Sequence, residues 1–211
     1  MPPLLCWVTD RNGPWATGGG LPDRFHSAVR AGVDWIQVRE KDLPARTLVE
    51  LARAAVGAAH GRATKIIVND RLDVALAVRA AGVHLGAASL PLAEVARARS
   101  SGPVSIPPNF LIGASCHSLE EAREAEHDGA SYIFFGPVFS TPSKAAFGPP
   151  QGLEKLGEVC RQVRIPVLAI GGINVENAGP CLRAGAGGLA AIRLFQQAAD
   201  LGELVARLRA A

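Results

Sequence analysis

The chain has no long hydrophobic run and no block of charge of one sign. No stretch reaches the roughly 18 apolar residues of a membrane-spanning helix, and the opening residues MPPLLCWVTDRNG lack the pattern of a secretory signal. Charged residues make up only 19% of the chain, and the formal net charge is +3. These features argue against membrane and nucleic-acid partners. We therefore expect a soluble, cytoplasmic protein.

Several motifs of well-known sites are missing as well. The four cysteines, Cys6, Cys116, Cys160 and Cys181, show no CxxC spacing, so we expect reduced and mostly buried thiols. No Ser-His-Asp or Cys-His spacing favours nucleophilic catalysis. No G-x-G-x-x-G motif follows the first strand-like segment, which argues against a dinucleotide-binding open sheet.

What the chain does contain is a regular alternation of short apolar runs and helical patterns. There are eight β-then-α units of about 25 residues each, which is what a TIM (β/α)8 barrel requires. The length of 211 residues and the hydrophobic content of 48% favour one domain over residues 1–211. A doubly wound open sheet is the alternative, since periodicity alone does not show closure. The predicted strands are 4–9, 35–41, 65–70, 83–86, 111–115, 132–135, 167–170 and 189–192. The predicted helices are 23–31, 45–59, 72–80, 92–99, 119–127, 153–163, 176–184 and 201–208.

The segment YIFFGPVFSTPSK, residues 132–144, combines an aromatic strand with a polar loop. The strand is predicted to be buried and parallel, and the loop carries Thr141, Ser143 and Lys144. A buried strand followed by a polar, cationic loop is how α/β folds present a site to an anion. On this segment alone, an ordinary strand-to-helix connection is an equal alternative.

Polar residues also follow the second and third predicted strands. Gln37, Arg39 and Lys41 are spaced by two, so we expect their side chains to point the same way at the barrel mouth. Buried cations are rarely tolerated without anionic partners, which favours a ligand. Asp70, after Asn69, suits a Mg²⁺ ion or the cap of the following helix.

The later strands add histidines, paired glycines and an arginine. His84 and His117 are interpreted as structural, since a lone histidine is more often structural than catalytic, and His117 immediately precedes a predicted helix. Gly171 and Gly172 precede a helix, where backbone amides can approach a phosphate. Arg193 follows the eighth strand, and the loops after strands seven and eight are the usual phosphate site of TIM barrels. Together these residues predict a phosphorylated substrate.

With these residues placed, the chain resembles the thiamine-phosphate synthase and thiazole tautomerase superfamily over nearly its whole length. The resemblance is carried by QVREK (37–41), NDR (69–71), VHLG (83–86), GAS with His117 (113–117), GP with Thr141, Ser143 and Lys144, and AIGGI (169–173).

The resemblance implies that an aminopyrimidine pyrophosphate is joined to a thiazole phosphate with release of pyrophosphate. Such chemistry needs the charge of the leaving group neutralised and water excluded. The groups implied for the pyrophosphate are Arg39, Lys41, Ser115 and Lys144, with Mg²⁺ on Asp70. Those implied for positioning the pyrophosphate and pyrimidine are Gln37 and Asn69. Those implied for the thiazole phosphate side are Thr141, Ser143, Gly171, Gly172 and Arg193.

Two departures from the synthase pattern keep an alternative open. Ser89 stands where that pattern expects a second magnesium-binding aspartate, and Arg193 replaces a small hydroxyl residue. The first departure favours a thiazole tautomerase or a non-catalytic binder of thiazole or thiamine phosphate. Pro137, however, stands where the tautomerase pattern has a catalytic histidine, and the Gln37, Arg39 and Lys41 set favours the synthase. The sequence leaves a homodimer open.

Overall fold

Eight parallel strands close into a barrel in which every strand pairs with its neighbours in the chain. The structure is a computed structural model that describes residues 2–13, 20–101, 105–141 and 149–211. The strand order runs from β1 to β8, and β8 pairs with β1. The strands are Leu4–Val8 (β1), Trp35–Val38 (β2), Lys65–Asn69 (β3), Gly82–Leu85 (β4), Leu111–Cys116 (β5), Tyr132–Phe135 (β6), Val167–Ile170 (β7) and Gly188–Ala191 (β8). The closed barrel confirms the predicted fold, and the open-sheet alternative is wrong.

Helices follow the strands and surround the barrel. In the described part of the chain they are Leu21–Ala31 (α1), Ala45–Ala58 (α2), Leu72–Ala77 (α3), Leu92–Ser101 (α4), Leu119–His127 (α5), Gly152–Gln162 (α6), Val175–Arg183 (α7), Arg193–Gln196 (α8) and Leu201–Arg209 (α9). The short helix α8 was not predicted. Helix α3 ends at Ala77 rather than at residue 80, and Arg79 follows it with a φ of +56°. None of these helices combines the length and the apolar character needed to cross a membrane.

Strand side chains alternate between two apolar cores, as expected for a barrel. Outward-facing residues such as Ile36 and Val38 belong to the larger core, which lies between the barrel and the helices. The smaller core fills the barrel and consists of Cys6, Val8, Trp35, Tyr132, Phe134, Leu168 and Ala190. Gly113 makes room for this packing, because a Cβ atom there would lie 2.1 Å from Cζ of Tyr132.

The four cysteines are free thiols, three buried and Cys160 partly buried, which confirms the sequence prediction. Ser118 followed three residues later by Glu121 is the sequence pattern of a capping box at the start of α5, and the structure confirms only half of it. Ser118 Oγ accepts a hydrogen bond from the Glu121 amide (3.1 Å), but the Glu121 carboxylate accepts from the amide of His117 (2.6 Å) rather than from Ser118.

Strand β2 ends at Val38, earlier than predicted, because the chain turns toward β1. The Arg39 amide donates to Oγ1 of Thr9 (2.9 Å), and Thr9 Oγ1 donates to the Glu40 carboxylate (2.5 Å). Glu40 is buried as a result. Of the three residues predicted to share this strand, only Gln37 lies in β2, and Arg39 and Lys41 lie in the loop that follows it.

Candidate functional site

The carboxyl ends of β2 and β3 carry three predicted site residues, each hydrogen-bonded to the next. Gln37 Nε2 donates to Asn69 Oδ1 (2.8 Å), and Asn69 Nδ2 donates to Asp70 Oδ2 (2.6 Å). Gln37 is buried inside the barrel, whereas Asn69 and Asp70 are partly buried. The amides thus orient the Asp70 carboxylate at the barrel mouth.

Asp70 lies directly against Ser89, the residue that departs from the synthase pattern. Ser89 Oγ donates to Asp70 Oδ1 and accepts from the Gly86 amide (2.7 Å). Asp70 adopts a φ of +59°, which is uncommon for a residue other than glycine and is typical of functional sites. The alternative role of Asp70 as a helix cap is wrong, because Arg71 is the N-cap of α3 and no side chain caps that helix.

The donor set around Asp70 suits Mg²⁺ only in part. Carboxylate and hydroxyl oxygens are ligands that this ion accepts, and a carboxylate offers about four lone-pair positions. Three are occupied by hydrogen bonds from Asn69, Ser89 and Gly86. Within the described ranges, no cluster of three or more His, Cys, Asp or Glu residues is arranged to hold a metal. A magnesium ion here would therefore need oxygens from a substrate or from water.

Next to this carboxylate, β4, β5 and β6 place three polar groups in contact. His84 Nε2 lies 2.9 Å from Ser115 Oγ, and His84 Nδ1 lies 3.1 Å from the Tyr132 hydroxyl. The His84 ring packs on Phe134 with centroids 4.2 Å apart. Sequence reasoning treated His84 as structural and missed its link to Ser115, since only the strand register brings these residues together.

Burial sets the protonation of this group of residues. Burial lowers the pKa of His84 to about 3, the Arg39 charge acts in the same direction, and Asp70 opposes both. Burial also raises the pKa of the Tyr132 hydroxyl well above its usual value. Both side chains are therefore neutral at physiological pH.

The two cations after β2 differ in how firmly the protein holds them. Arg39 is half-buried and its amide is fixed to Thr9, whereas Lys41 is exposed. Glu40, between them, also accepts hydrogen bonds from the amide of Arg11 (3.0 Å) and from its guanidinium (3.4 Å). Sequence reasoning missed this role of Glu40, although a carboxylate between two predicted site cations is a signal for it.

The opposite side of the mouth is built from backbone rather than side chains. Gly171 and Gly172 follow β7 with φ of +94° and +67°. The Phe139 amide donates to the Gly171 carbonyl (3.0 Å), and a Cβ at Gly171 would lie 2.5 Å from Cβ of Pro137. No described residue accepts a hydrogen bond from the amide of Gly171 or Gly172. This arrangement leaves both amides able to bind an anion.

Arg193 and Thr141 meet beside these glycines. Arg193 Nη2 lies 3.4 Å from Thr141 Oγ1, and Arg193 is the first residue of α8. Ser143 and Lys144 lie outside the described residues, so their predicted roles stay predictions. His117 Nδ1 contacts the Gly136 carbonyl, which agrees with its interpretation as a structural residue.

Comparison with known proteins places most of the chain in one family. A family model described as thiamine monophosphate synthase (TMP-TENI) matches residues 5–195. The chain is 45% identical to the thiamine-phosphate synthase of Moorella thermoacetica over 194 residues, 91% of this chain and 89% of that protein. It is 41% identical to the thiamine-phosphate synthase of Syntrophomonas wolfei over 205 residues, 97% of this chain and 94% of that protein.

A solved structure shows the same relationship. The thiamine phosphate pyrophosphorylase from Pyrococcus furiosus superimposes with a TM-score of 0.82 at 37% identity, covering 98% of this chain and 94% of that one. The sequence match and the shared barrel agree. The chain therefore belongs to the thiamine monophosphate synthase family, which is a family of transferases.

Proposed function

We propose that the barrel mouth joins an aminopyrimidine pyrophosphate to a thiazole phosphate and releases pyrophosphate, the reaction of a thiamine-phosphate synthase. The observation that carries this proposal is that the mouth offers anion-binding groups on two opposite sides. Arg39 follows β2, and Asp70, which would hold a cation, follows β3, whereas the Gly171 and Gly172 amides follow β7. Two phosphorylated substrates can therefore face each other across one opening.

On the first side, Arg39 and Lys41 neutralise the charge of the leaving pyrophosphate and the Ser115 hydroxyl donates a hydrogen bond to it, with Lys144 as a further predicted partner. The carbon–oxygen bond breaks with its electron pair going to pyrophosphate, and the thiazole nitrogen lone pair forms the new carbon–nitrogen bond. Thiamine-phosphate synthases in general use Mg²⁺. Asp70 would hold such an ion, which would supply further positive charge to the pyrophosphate. Gln37 and Asn69 orient the pyrimidine and the pyrophosphate.

On the second side, backbone amides bind the phosphate of the thiazole. The amides of Gly171 and Gly172 donate to the phosphate oxygens, and Arg193 adds a charge that can pair with phosphate through two hydrogen bonds. The partners that remain predictions from sequence are Thr141 and Ser143. This side binds the attacking substrate and holds its nitrogen toward the pyrimidine.

The first test is an assay with both substrates and Mg²⁺ that detects released pyrophosphate. We expect Arg39→Ala to weaken binding of the pyrophosphate substrate by about 10- to 100-fold, as loss of a charged hydrogen-bond partner usually does. Its melting temperature should stay within a few degrees of the wild type. Arg97→Ala is the matched control, since Arg97 is an exposed arginine paired with Glu94 on α4. A large loss of stability with unchanged binding would show that Arg39 is structural.

A second candidate function, thiazole tautomerisation, is favoured by one observation: Ser89 supplies only a hydroxyl beside Asp70. If the chain is a synthase, Ser89→Asp should lower the Mg²⁺ concentration needed for half-maximal rate and raise pyrophosphate release. The reason is that a second carboxylate offsets the cost of removing water from the ion. Ser89→Ala is the control without added charge.

In a tautomerase or a binder, the added charge of Ser89→Asp would serve no purpose. It would repel an anionic ligand by about 1 kcal/mol or more at close range. A wild-type protein and a Ser89→Asp variant that both release no pyrophosphate would contradict the synthase proposal.

A further inference from the structure

Tyr132, His84 and Ser115 form a row of hydrogen bonds that begins in the barrel core and ends at the mouth. Tyr132 is 1% exposed, His84 is 2% exposed and Ser115 is half-buried. The three groups are joined only through the two nitrogens of His84. A neutral imidazole has one donor nitrogen and one acceptor nitrogen. The tautomer of His84 therefore decides which group donates in each of the two hydrogen bonds.

We infer that His84 is a positioning residue, held in the Nε2–H tautomer by Tyr132, which makes the Ser115 hydroxyl a hydrogen-bond donor toward the barrel mouth. In this direction the Tyr132 hydroxyl donates to Nδ1, and Nε2–H donates to Ser115 Oγ. Ser115 then keeps its own proton for another partner.

The reverse direction would leave the Tyr132 hydroxyl proton without an acceptor. If Nδ1 carried the proton, it would donate to the Tyr132 oxygen, and the Tyr132 proton would need a different acceptor. His84 Nδ1 is the hydrogen-bonding partner of that hydroxyl in the described chain. A buried donor without an acceptor is costly. The same objection applies to a cationic His84, in which both nitrogens donate, and the burial of this side chain, which is 2% exposed, disfavours that charge.

The consequence lies at the mouth of the barrel. A serine hydroxyl that is free to rotate can present either its proton or its lone pairs to a ligand, whereas Ser115 is predisposed to present its proton. A donor attracts anionic oxygens, and a lone pair repels them. Identification of the acceptor as the pyrophosphate rests on the proposed function, but the tautomer itself does not.

The first experiment reads the tautomer directly in the wild-type protein. Labelling histidine with ¹⁵N and recording two-bond ¹H–¹⁵N spectra distinguishes a protonated ring nitrogen from an unprotonated one. We expect a protonated Nε2 and an unprotonated Nδ1 for His84, with the signals assigned by their absence in His84→Gln. A protonated Nδ1 would overturn the inference. A protein without synthase activity that still shows the Nε2–H tautomer would contradict only the proposed function.

The second experiment measures what the tautomer does, with inorganic pyrophosphate and Mg²⁺ as the probe in calorimetry. Ser115→Ala should weaken binding by about tenfold or more, as for a lost hydrogen bond to a charged group. His84→Leu removes the donor to Ser115 and should weaken binding several-fold. His84→Gln can accept from Tyr132 and donate to Ser115, so it should restore much of that loss.

A double-mutant comparison separates positioning from a merely structural role. In the Ser115→Ala background, His84→Leu should have little further effect on pyrophosphate binding. An equal loss with and without Ser115 would overturn the inference. If His84→Leu does not fold, the tautomer measured in the wild-type protein decides.

Discussion

The two sides of the barrel mouth are built in different ways. After β2 to β5, the site consists of side chains that hydrogen-bond to one another, from Gln37 through Asn69 to Asp70, and from His84 to Ser115. After β7, it consists of glycine backbone whose conformation side chains cannot adopt without strain. The first side consists of polar side chains, and the second consists of backbone amides that are accessible because glycine has no side chain.

This difference decides which changes each side tolerates. The side-chain side depends on protonation, because its hydrogen bonds change direction or break when a group gains or loses a proton. The amides of the backbone side do not titrate, and their position depends instead on the absence of a side chain at Gly171, where a Cβ would lie 2.5 Å from Cβ of Pro137. Lowering the pH should therefore disturb the first side, and adding a methyl group at a glycine should disturb the second.

The largest effect is expected from His84 as the pH falls. The pKa of His84 is lowered to about 3 by burial, so between pH 6.5 and about 3 the unfolded chain binds a proton that the folded chain does not. The free energy of unfolding should then fall by about 1.4 kcal/mol for each pH unit in this window, and this loss is absent above pH 6.5. Urea unfolding between pH 7 and pH 4 measures it.

His84→Gln is the control for that experiment, since glutamine does not titrate and can keep both hydrogen bonds. The difference in pH dependence between the wild type and this variant isolates the histidine from all other groups. Parallel curves for the two proteins would show that His84 is protonated equally easily in both states.

A smaller but still large effect is expected from Gly171→Ala on the backbone side. The added Cβ would meet Pro137 at 2.5 Å in a residue with φ of +94°. We expect a loss of about 2–4 kcal/mol in stability, from left-handed strain and crowding together. Weaker binding of the thiazole phosphate should accompany it. Chemical denaturation and calorimetry measure the two effects.

Gly32→Ala is the matched control, because Gly32 has a similar φ of +82° with no atom within 4 Å of the added Cβ. It should cost about 1–2 kcal/mol from strain alone and leave phosphate binding unchanged. Equal losses for the two variants would show that crowding against Pro137 contributes nothing.

The smallest effects are expected in the loop after β2. Glu40→Gln removes a buried charge that accepts from Thr9 and Arg11, and should cost about 1–3 kcal/mol and weaken pyrophosphate binding through Arg39. Asp42→Asn removes only the ion pair with Arg11. This pair is exposed, since the Asp42 side chain is 60% exposed. The melting temperature of this variant should barely change. Thermal unfolding of both variants tests this, and similar losses would contradict the distinction.

Asp42 also gives a pH signature of its own. The Arg11 guanidinium lowers the pKa of Asp42 to about 2. The contribution of this pair is therefore present above about pH 4 and is lost as the pH falls toward 2. Because the pair is exposed, added salt should reduce it at neutral pH. This behaviour contrasts with His84, whose effect begins near pH 6.5 and is insensitive to salt.

The local pattern of the chain was sufficient for most of the fold. Strand β7 and helix α5 have the predicted bounds, since an apolar run between turn signals and a Ser118 cap are both local features. The bounds failed where a distant residue intervened. Strand β2 stops at Val38 because Glu40 turns to Thr9, which is 31 residues away in the chain. Helix α8 was missed because four residues are too few to show a periodic pattern.

The sequence by itself determined the alternation of strands and helices and which polar residues follow each strand. Both depend on neighbours within a few positions, and the mouth of a parallel barrel collects whatever follows its strands. Only the tertiary structure decided which of those residues touch. Ser89 meets Asp70 across 19 positions, and His84 joins Ser115 to Tyr132 across 31 and 48 positions. Such contacts depend on barrel closure and strand register, to which no local periodicity is sensitive.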